Sequence, residues 1–139
     1  LTSLFRIRKI HKTYLAIVHG QVSKDIKILQ DNLVSYENNK KIIQKAISYL
    51  KIIKDSPKYS FLELNPITGR KHQLRKQLFN INNPIVGDNK YFIRKIKDNF
   101  KKKYLMLHAY KIKFMINGIK YNFKAEYHKE FKDFFNKHF

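Results

Sequence analysis

The chain has 139 residues, 43% hydrophobic and 14% aromatic, which is enough apolar material for one folded domain and excludes wholesale disorder. It has no cysteine, which excludes disulfide bonds, cysteine metal sites and thiol catalysis and fits a reducing, cytoplasmic location. Its 30 Lys and Arg against 10 Asp and Glu give a net charge of +20, which favours a polyanionic partner such as RNA or DNA.

The excess of lysine has a second explanation. Only 5 of the basic residues are Arg and 25 are Lys, and the chain is also rich in Ile and Asn, whose codons, like those of Lys, are A/T-rich. Genome composition therefore explains much of the lysine, although the charge still favours a nucleic-acid partner. The arginines are more informative, because a guanidinium makes bidentate contacts that lysine cannot make. No apolar run approaches the ~20 residues of a membrane span, so no membrane partner is expected.

The first half of the chain predicts two strands around an ambiguous region. Residues 12–20 (KTYLAIVHG) alternate in polarity and predict a strand that ends at a glycine. Residues 21–39 are polar and weakly patterned, as in a long connection or a peripheral hairpin. The apolar spacing of residues 40–53 suits a helix, whereas their β-branched side chains suit a strand, and periodicity leaves both open. Residues 54–58 predict a turn, and residues 59–64 (YSFLEL) a strand.

A helix is predicted in the middle of the chain. Pro66 breaks the preceding strand, and Thr68 has the side chain of an N-cap. Residues 70–81 then show apolar side chains on one helical face. Residues 82–91 (NNPIVGDNKY) predict a loop, and residues 93–103 form a basic, solvated patch.

The last third predicts a hairpin and a second helix. Residues 104–115 and 119–125 alternate as strands around Asn117–Gly118, the strongest short signal for a type I′ turn. Four phenylalanines follow at helical spacing, which predicts a C-terminal amphipathic helix: Phe131, Phe134, Phe135 and Phe139. The order of elements predicts an α+β fold, in which a largely antiparallel sheet carries a central helix and a C-terminal helix.

The residues that carry chemistry concentrate in residues 65–78 (NPITGRKHQLRKQL). The six histidines show no paired ligand spacing, so no metal site is predicted. No GxSxG, Walker A or GxGxxG motif occurs. Residues 65–78 are either the start of a basic domain's helix, a nucleic-acid contact, or half of an active site.

Four segments resemble one enzyme family. Residues 66–75 (PITGRKHQLR) match the P-x-T-G-R-x-H-Q-[IL]-R signature of RluA-type RNA pseudouridine synthases. Residues 82–91 resemble the family's G-x-P-I-x-G-D-x-x-Y segment, residues 12–20 its K-x-Y-x-A strand, and residues 105–114 (LMLHAYKIKF) its L-x-L-H-A strand. The four segments follow the family's order across nearly the whole chain. The resemblance also favours a strand for residues 46–53.

The resemblance implies an isomerase that converts uridine to pseudouridine in ribosomal RNA or tRNA without a cofactor or metal. Tyr14 matches the tyrosine that packs against the uracil, and Arg75 matches the arginine that pairs with the catalytic aspartate. The alternative for Tyr14 is an ordinary inward-facing strand aromatic, and the alternative for Arg75 is a solvated helix charge.

Four further residues of the signature region are predicted to contact RNA: Arg70, Lys71, His72 and Lys76. Free N–H groups at a helix start attract phosphate, although Arg70 and His72 fit a structural role in the turn equally well. Lys71 and Arg75 are four residues apart and would share a face of a regular helix. If Arg75 points into a cleft and Lys71 to solvent or RNA, then Lys71 must precede the regular helix.

Two features depart from the family pattern. The family's catalytic aspartate stands in an R-L-D segment upstream of K-x-Y-x-A, and none of the six aspartates here has that context. The resemblance therefore implies that residues 1–139 are the C-terminal portion of a single catalytic domain, with the aspartate upstream of Leu1. Phe92 replaces the last glycine of the family's GDxxYG, which puts the tight turn there in question. The alternative function is a non-catalytic basic RNA-binding module derived from the same scaffold.

Overall fold

The computed structural model describes residues 7–96 and 104–139 and shows an α+β fold. Its six strands form one antiparallel sheet in the order β2-β3-β4-β1-β5-β6. In chain order the elements are β1 (Ile7–His19), β2 (Ile28–Glu37), β3 (Lys40–Asp55), β4 (Tyr59–Pro66), α1 (Gln73–Asn80), β5 (Leu107–Ile116), β6 (Ile119–Lys124) and α2 (Lys129–His138). The predicted fold class, with a helix after the signature motif and another at the C-terminus, is confirmed.

The central strand β1 carries the predicted K-x-Y-x-A segment. It pairs with β4 on one side and β5 on the other, so that Tyr14 lies opposite both Leu64 and Ala109. The side chains of residues 15–18 are buried, as expected for a strand with neighbours on both edges. The strand extends further towards the N-terminus than the alternation of residues 12–20 predicted.

The ambiguous segment is a strand throughout. Residues 40–55 form β3, whose residues 40–49 pair with β2. This pairing makes the peripheral hairpin that was one of the two expectations for residues 21–39. Ala46, Ser48 and Leu50 are buried at every second position. Because a period of two is the period of a strand, the helical interpretation of residues 40–53 is excluded and the strand predicted for residues 46–53 is confirmed.

The helix after the signature begins later than its sequence predicted. The N-cap position is His72, in the left-handed region at φ 53° and ψ 32°, and not Thr68. The Thr68 hydroxyl instead accepts the N–H of Ile47 at 2.9 Å and donates to Gln73 Oε1 at 2.6 Å. Since this hydroxyl ties the loop to β3, it is not free to cap a helix, and Arg70 and Lys71 stay in a turn.

The C-terminal hairpin and helix match their predictions closely. Asn117 and Gly118 have φ of 49° and 81°, as a type I′ turn requires, and they join β5 to β6. Phe131 and Phe134 of α2 are buried, and Phe135 and Phe139 pack against the same core. The strand β5 starts at Leu107, three residues later than predicted.

The two helices cover opposite faces of the sheet. Gln73 and Gln77 of α1 contact Ser48, which lies opposite Pro66 in β4. The α2 rings instead contact Phe61, whose ring centroid lies 4.9 Å from that of Phe135. Because Phe61 and Pro66 are an odd number of residues apart, they point to opposite sides. We call the side that carries α1 the α1 face.

Part of the sequence prediction lies outside the described structure. Of the basic patch predicted at residues 93–103, residues 97–103 are outside the described ranges. Neither α1 nor α2, the two helices within residues 7–96 and 104–139, has the length and apolar character needed to cross a membrane.

Candidate active site

A cavity of about 250 Å³ on the α1 face brings the signature motif together with the central strand. Four of the six predicted site residues line it, whereas Lys71 and Lys76 do not. Its lining residues are Lys12, Tyr14, Pro66, Thr68, Gly69, Arg70, His72, Gln73, Leu74, Arg75 and Leu107. The strand pairing explains why Tyr14 is there, because its cross-strand partner Leu64 is on the same face as Pro66, where the loop to α1 begins.

Arg75 is held by Asp88 in a two-pronged ion pair. Arg75 Nε donates to Asp88 Oδ2 at 2.9 Å, and Arg75 Nη2 donates to Asp88 Oδ1 at 2.7 Å. The Asp88 side chain is 0% exposed and that of Arg75 is 17% exposed. Arg75 is therefore not a solvated helix charge. A guanidinium fork of this kind fixes both distance and orientation.

The charge on Asp88 is stabilised on several sides. Burial alone would raise the pKa of this carboxyl, but the hydrogen bonds from Arg75 and from the backbone N–H groups of Tyr91 and Lys90 outweigh burial, so its pKa is lowered. The same hydrogen bond to Asp88 raises the pKa of Arg75. Both groups are therefore ionised at neutral pH.

Tyr91 and His72 complete what we call the Arg75 cluster, made of His72, Arg75, Asp88 and Tyr91. The Arg75 guanidinium lies 5.2 Å from the centre of the Tyr91 ring, and the Tyr91 hydroxyl is 3.1 Å from His72 Nδ1. Burial, followed by the positive charge of Arg75, lowers the pKa of His72. The imidazole is thus neutral at pH 7 and acts by hydrogen bonding, not by charge.

The turn that presents Asp88 depends on a glycine. Gly87 has φ of 84°, and a Cβ on it would lie 2.0 Å from the carbonyl oxygen of Tyr104. Only glycine fits there, which gives a physical reason for the G-D pair in the sequence. Asp88 Oδ1 then closes the following turn by accepting the N–H groups of Lys90 and Tyr91. Phe92 needs no left-handed conformation, so the chain accommodates the missing glycine.

Two buried glutamines fix the start of α1 against β3. Gln73 Nε2 donates to the Ile47 carbonyl at 3.0 Å and to Ser48 Oγ at 2.8 Å, and Ser48 Oγ donates to Gln77 Oε1 at 2.7 Å. Gln77 is 0% exposed and also donates to two backbone carbonyls. The glutamine of the H-Q pair is therefore a structural residue that places Arg75 over the cavity.

The basic residues of the signature divide into two groups. Arg70 Nε donates to the Lys45 carbonyl at 3.0 Å, so part of this guanidinium holds the turn. Lys71 is exposed and precedes α1, as required if it and Arg75 point in different directions. Lys76 is half-buried on α1.

Across residues 7–96 and 104–139, no three His, Asp or Glu side chains are grouped as metal ligands would be.

Two residues of this site, Asp88 and Gln73, had no predicted role. Asp88 stands outside the family's catalytic motif, and its distance from Arg75 along the chain hid their contact. The available signal was the G-D pair, since a glycine with a required positive φ next to an acid often marks a turn built to present that acid. Gln73 gave no signal, because a polar residue early in a helix is usually solvated.

Comparison with known proteins shows which family the chain resembles. A family model described as RNA pseudouridylate synthase matches residues 1–80. The ribosomal large subunit pseudouridine synthase C of Buchnera aphidicola subsp. Baizongia pistaciae is 38% identical over 121 residues, covering 78% of this chain and 38% of the relative. The tRNA pseudouridine synthase C of Haemophilus ducreyi is 29% identical, with 78% of this chain and 54% of the relative covered. The chain thus spans about half or less of these relatives.

Solved structures show the same fold. The structure of human RNA pseudouridylate synthase domain containing 1 superimposes with a TM-score of 0.72 at 18% identity, covering 85% of this chain and 55% of that one. Human RNA pseudouridylate synthase domain containing 4 gives a TM-score of 0.68 at 22% identity, covering 88% and 60%. With the sequence match over residues 1–80 and three of the four RluA-type motifs on one cavity, the chain belongs to the RNA pseudouridylate synthase family.

Proposed function

We propose that the chain is the C-terminal portion of the catalytic domain of an RNA pseudouridine synthase that isomerises uridines in ribosomal RNA. The observation that carries the proposal is the cavity that Tyr14 and Arg75 share with the signature motif. The names of relatives such as the ribosomal large subunit synthases C and D point to ribosomal RNA, and a tRNA synthase among them makes tRNA the second substrate class.

The residues of the cavity suit both the isomerisation of the base and the binding of the RNA that carries it. The N-glycosidic bond of the uridine breaks, the uracil turns, and a carbon–carbon bond to the ribose forms, so the base must first leave its stack. The half-buried ring of Tyr14 gives the extruded base an aromatic wall. Arg70, Lys71, His72 and Lys76 contact RNA around the opening, with His72 as a neutral hydrogen-bonding group.

Arg75 has the capacity to bind a second carboxylate. A guanidinium carries five N–H donors, and the two hydrogen bonds to Asp88 leave three. In the complete enzyme these three face the aspartate of an R-L-D segment that lies outside these 139 residues. Asp88 then fixes the guanidinium on one edge while the catalytic carboxylate uses the other, which keeps that carboxylate ionised and in position.

A non-catalytic RNA-binding module is the alternative function. It would keep the fold and the positive charge and would have no R-L-D segment. The coding sequence next to Leu1 separates the two hypotheses, because an R-L-D segment supports the enzyme and a start codon at Leu1 supports the module.

The catalytic role of Arg75 is tested by comparing Arg75→Lys with Lys76→Ala in a protein that includes an R-L-D segment. Arg75→Lys keeps the charge but loses the fork, so we expect a roughly 100-fold lower single-turnover rate at saturating RNA with little change in RNA affinity. Lys76→Ala should weaken RNA binding by about two- to threefold and leave the rate unchanged, because it removes one phosphate contact. A normal rate for Arg75→Lys would remove Arg75 from the site.

The isolated chain of residues 1–139 provides a second test. We expect no pseudouridine above background when it is incubated with ribosomal RNA and the product is analysed by mass spectrometry. Turnover by the chain alone would mean that one of its own six aspartates supplies the carboxylate. Loss of this turnover in Asp88→Ala would then identify Asp88, the partner of Arg75, as the aspartate responsible.

A further inference from the structure

The hairpin formed by β5 and β6 has an apolar face that the proposed mechanism does not use. Its cross-strand pairs place six apolar or aromatic side chains on one side, the α1 face: Ile112, Phe114, Ile116, Ile119, Tyr121 and Phe123. Ile119 is 58% exposed and Phe123 is 56% exposed. We call these six residues the hairpin face.

The hairpin face continues directly from the candidate active site. A second cavity, of about 210 Å³, shares Lys12 and Tyr14 with the first. Its far wall includes Ile112 and Phe123. The strand pairing accounts for this, because Lys12 lies opposite Ile112, which in turn lies opposite Phe123. A polymer that places one of its residues against Tyr14 therefore brings the adjacent residue to Phe123.

The aromatic rings of the hairpin face form a platform. The Phe114 ring stacks on that of Tyr121 at 5.3 Å with an interplanar angle of 14°, and on that of Phe123 at 5.8 Å with an angle of 21°. The Phe114 ring therefore packs against that of Phe123 on the same face, and Phe123 remains more than half exposed. An exposed ring held by its neighbour suits stacking by a flat ligand.

The cation that shares the hairpin face is Lys12. It lies opposite Ile112 of β5 and lines both cavities. The four lysines of residues 107–124 occupy the alternate positions of the two strands, as in the Lys111–Lys124 pair, so their side chains point to the opposite face of the sheet. Flat rings beside a cation complement a strand of bases and phosphates.

We propose that this second cavity binds an unpaired nucleotide next to the target uridine in the RNA substrate. The base stacks on Phe123, and Lys12 contacts its phosphate. The inference rests on the proposed function, since it extends the same RNA beyond Tyr14. A docking surface for another protein is less suitable, because Lys12 lines this cavity and lysine is depleted at the centre of protein–protein interfaces.

The stacking contact is tested with variants of Phe123 and two fluorescently labelled probes. The first probe is a uridine-containing single-stranded RNA of about 12 nucleotides, and the second is the same sequence in a duplex. Phe123→Ala should weaken single-strand binding by about 5- to 50-fold and duplex binding by less than twofold, because a paired base is not free to stack. Phe123→Tyr should bind like the wild type.

Two matched variants distinguish stacking from simple apolar burial. Phe123→Leu keeps an apolar side chain without a ring, so it should lose as much affinity as Phe123→Ala. Tyr36→Ala removes an aromatic side chain that is 72% exposed on the distant β2 and should leave affinity unchanged. Equal thermal midpoints establish that each variant is folded. A change at Tyr36 equal to that at Phe123 would overturn the proposal.

The phosphate contact has its own measurement. Lys12→Ala should reduce the slope of log affinity against log salt by about one, whereas Lys111→Ala, on the opposite face of the hairpin, and Lys41→Ala on the distant β3 should not. Wild-type affinity retained by Phe123→Ala or by Phe123→Leu would overturn the proposal, as would failure of the wild type to bind the single strand. Loss of binding by Phe123→Ala would support it even if the complete protein formed no pseudouridine, a result that would count against the proposed function alone.

Discussion

The Arg75 cluster and the hairpin face lie side by side on the same face of one sheet, yet their surroundings are opposite. In the cluster, the Asp88 side chain is fully buried and accepts four hydrogen bonds, so each polar group is fixed by its neighbours. On the hairpin face, apolar side chains are exposed beside Lys12. The first arrangement suits chemistry, which needs fixed geometry, and the second suits contact with a flexible ligand.

Two glycines with nearly the same positive φ make this comparison measurable. Gly87, in the turn before Asp88, has φ of 84°, and Gly118, at the tip of the hairpin, has φ of 81°. A Cβ at Gly87 would meet the Tyr104 carbonyl oxygen at 2.0 Å, whereas a Cβ at Gly118 would meet nothing within 4 Å. The backbone penalty is therefore shared, and the steric penalty belongs to Gly87 alone.

The largest effect is expected for Gly87→Ala. The positive φ costs about 1–2 kcal/mol, and a rigid backbone clash adds about 1–3 kcal/mol, so the free energy of unfolding should fall by roughly 2–5 kcal/mol. Urea denaturation followed by circular dichroism measures the change. A loss below about 1 kcal/mol would show that the segment around Tyr104 moves aside easily and that the cluster is less rigid than its hydrogen bonds indicate.

Asp88→Asn should have the next largest effect. It leaves the Arg75 guanidinium without its counter-charge, and removing one partner of a buried pair costs about 3 kcal/mol. In the presence of an R-L-D segment the variant should also slow turnover, because Arg75 loses the group that orients it. Asp133→Asn, on the exposed side of α2, is the matched control and should change neither quantity. Unchanged stability for Asp88→Asn would mean that the pair is not formed in solution.

The Arg75–Asp88 pair should also make the free energy of unfolding depend on pH. The pKa of Asp88 is lower in the folded protein than in the unfolded chain, where it is about 3.9. The carboxylate therefore contributes its full share to the free energy of unfolding at a pH above the unfolded pKa, and this share is lost as the pH falls through the folded pKa. The difference in unfolding free energy between wild type and Asp88→Asn should therefore be constant from pH 7 to about 5 and shrink below about 4. His72, whose pKa is also lowered, destabilises both proteins below about pH 6.5, so its effect cancels to first order.

Sequence patterns predicted those parts of the fold that depend on local chemistry. The alternation of residues 12–20, the Asn117–Gly118 turn and the spacing of the α2 phenylalanines each depend on near neighbours, and all three are confirmed. The start of α1 was wrong because a long-range hydrogen bond from Ile47 takes the Thr68 hydroxyl. A contact between residues 21 positions apart has no local signature.

The candidate site divides in the same way. Tyr14 and Arg75 were predicted because they stand in motifs, and the structure adds that they line one cavity. The Arg75–Asp88 pair was missed, since it joins a helix to a loop 13 residues further on. The hairpin face was missed because alternating apolar residues in a strand usually indicate burial, and only the sheet order shows that β6 is an edge strand with nothing described over that face.

The smallest effect, expected for Gly118→Ala, completes the comparison of the two regions. Its Cβ enters open space, so only the backbone penalty of about 1–2 kcal/mol applies, and the value should lie near the lower end because the hairpin tip relaxes more freely than a buried turn. Gly118→Asn should cost still less, since asparagine tolerates the left-handed region. Urea denaturation of the three variants measures these losses, and the loss for Gly87→Ala minus the loss for Gly118→Ala gives the steric part of the Gly87 penalty. If Gly118→Ala lost as much stability as Gly87→Ala, the hairpin would be as tightly determined as the Arg75 cluster, and the contrast between a fixed site and an adaptable contact surface would be wrong.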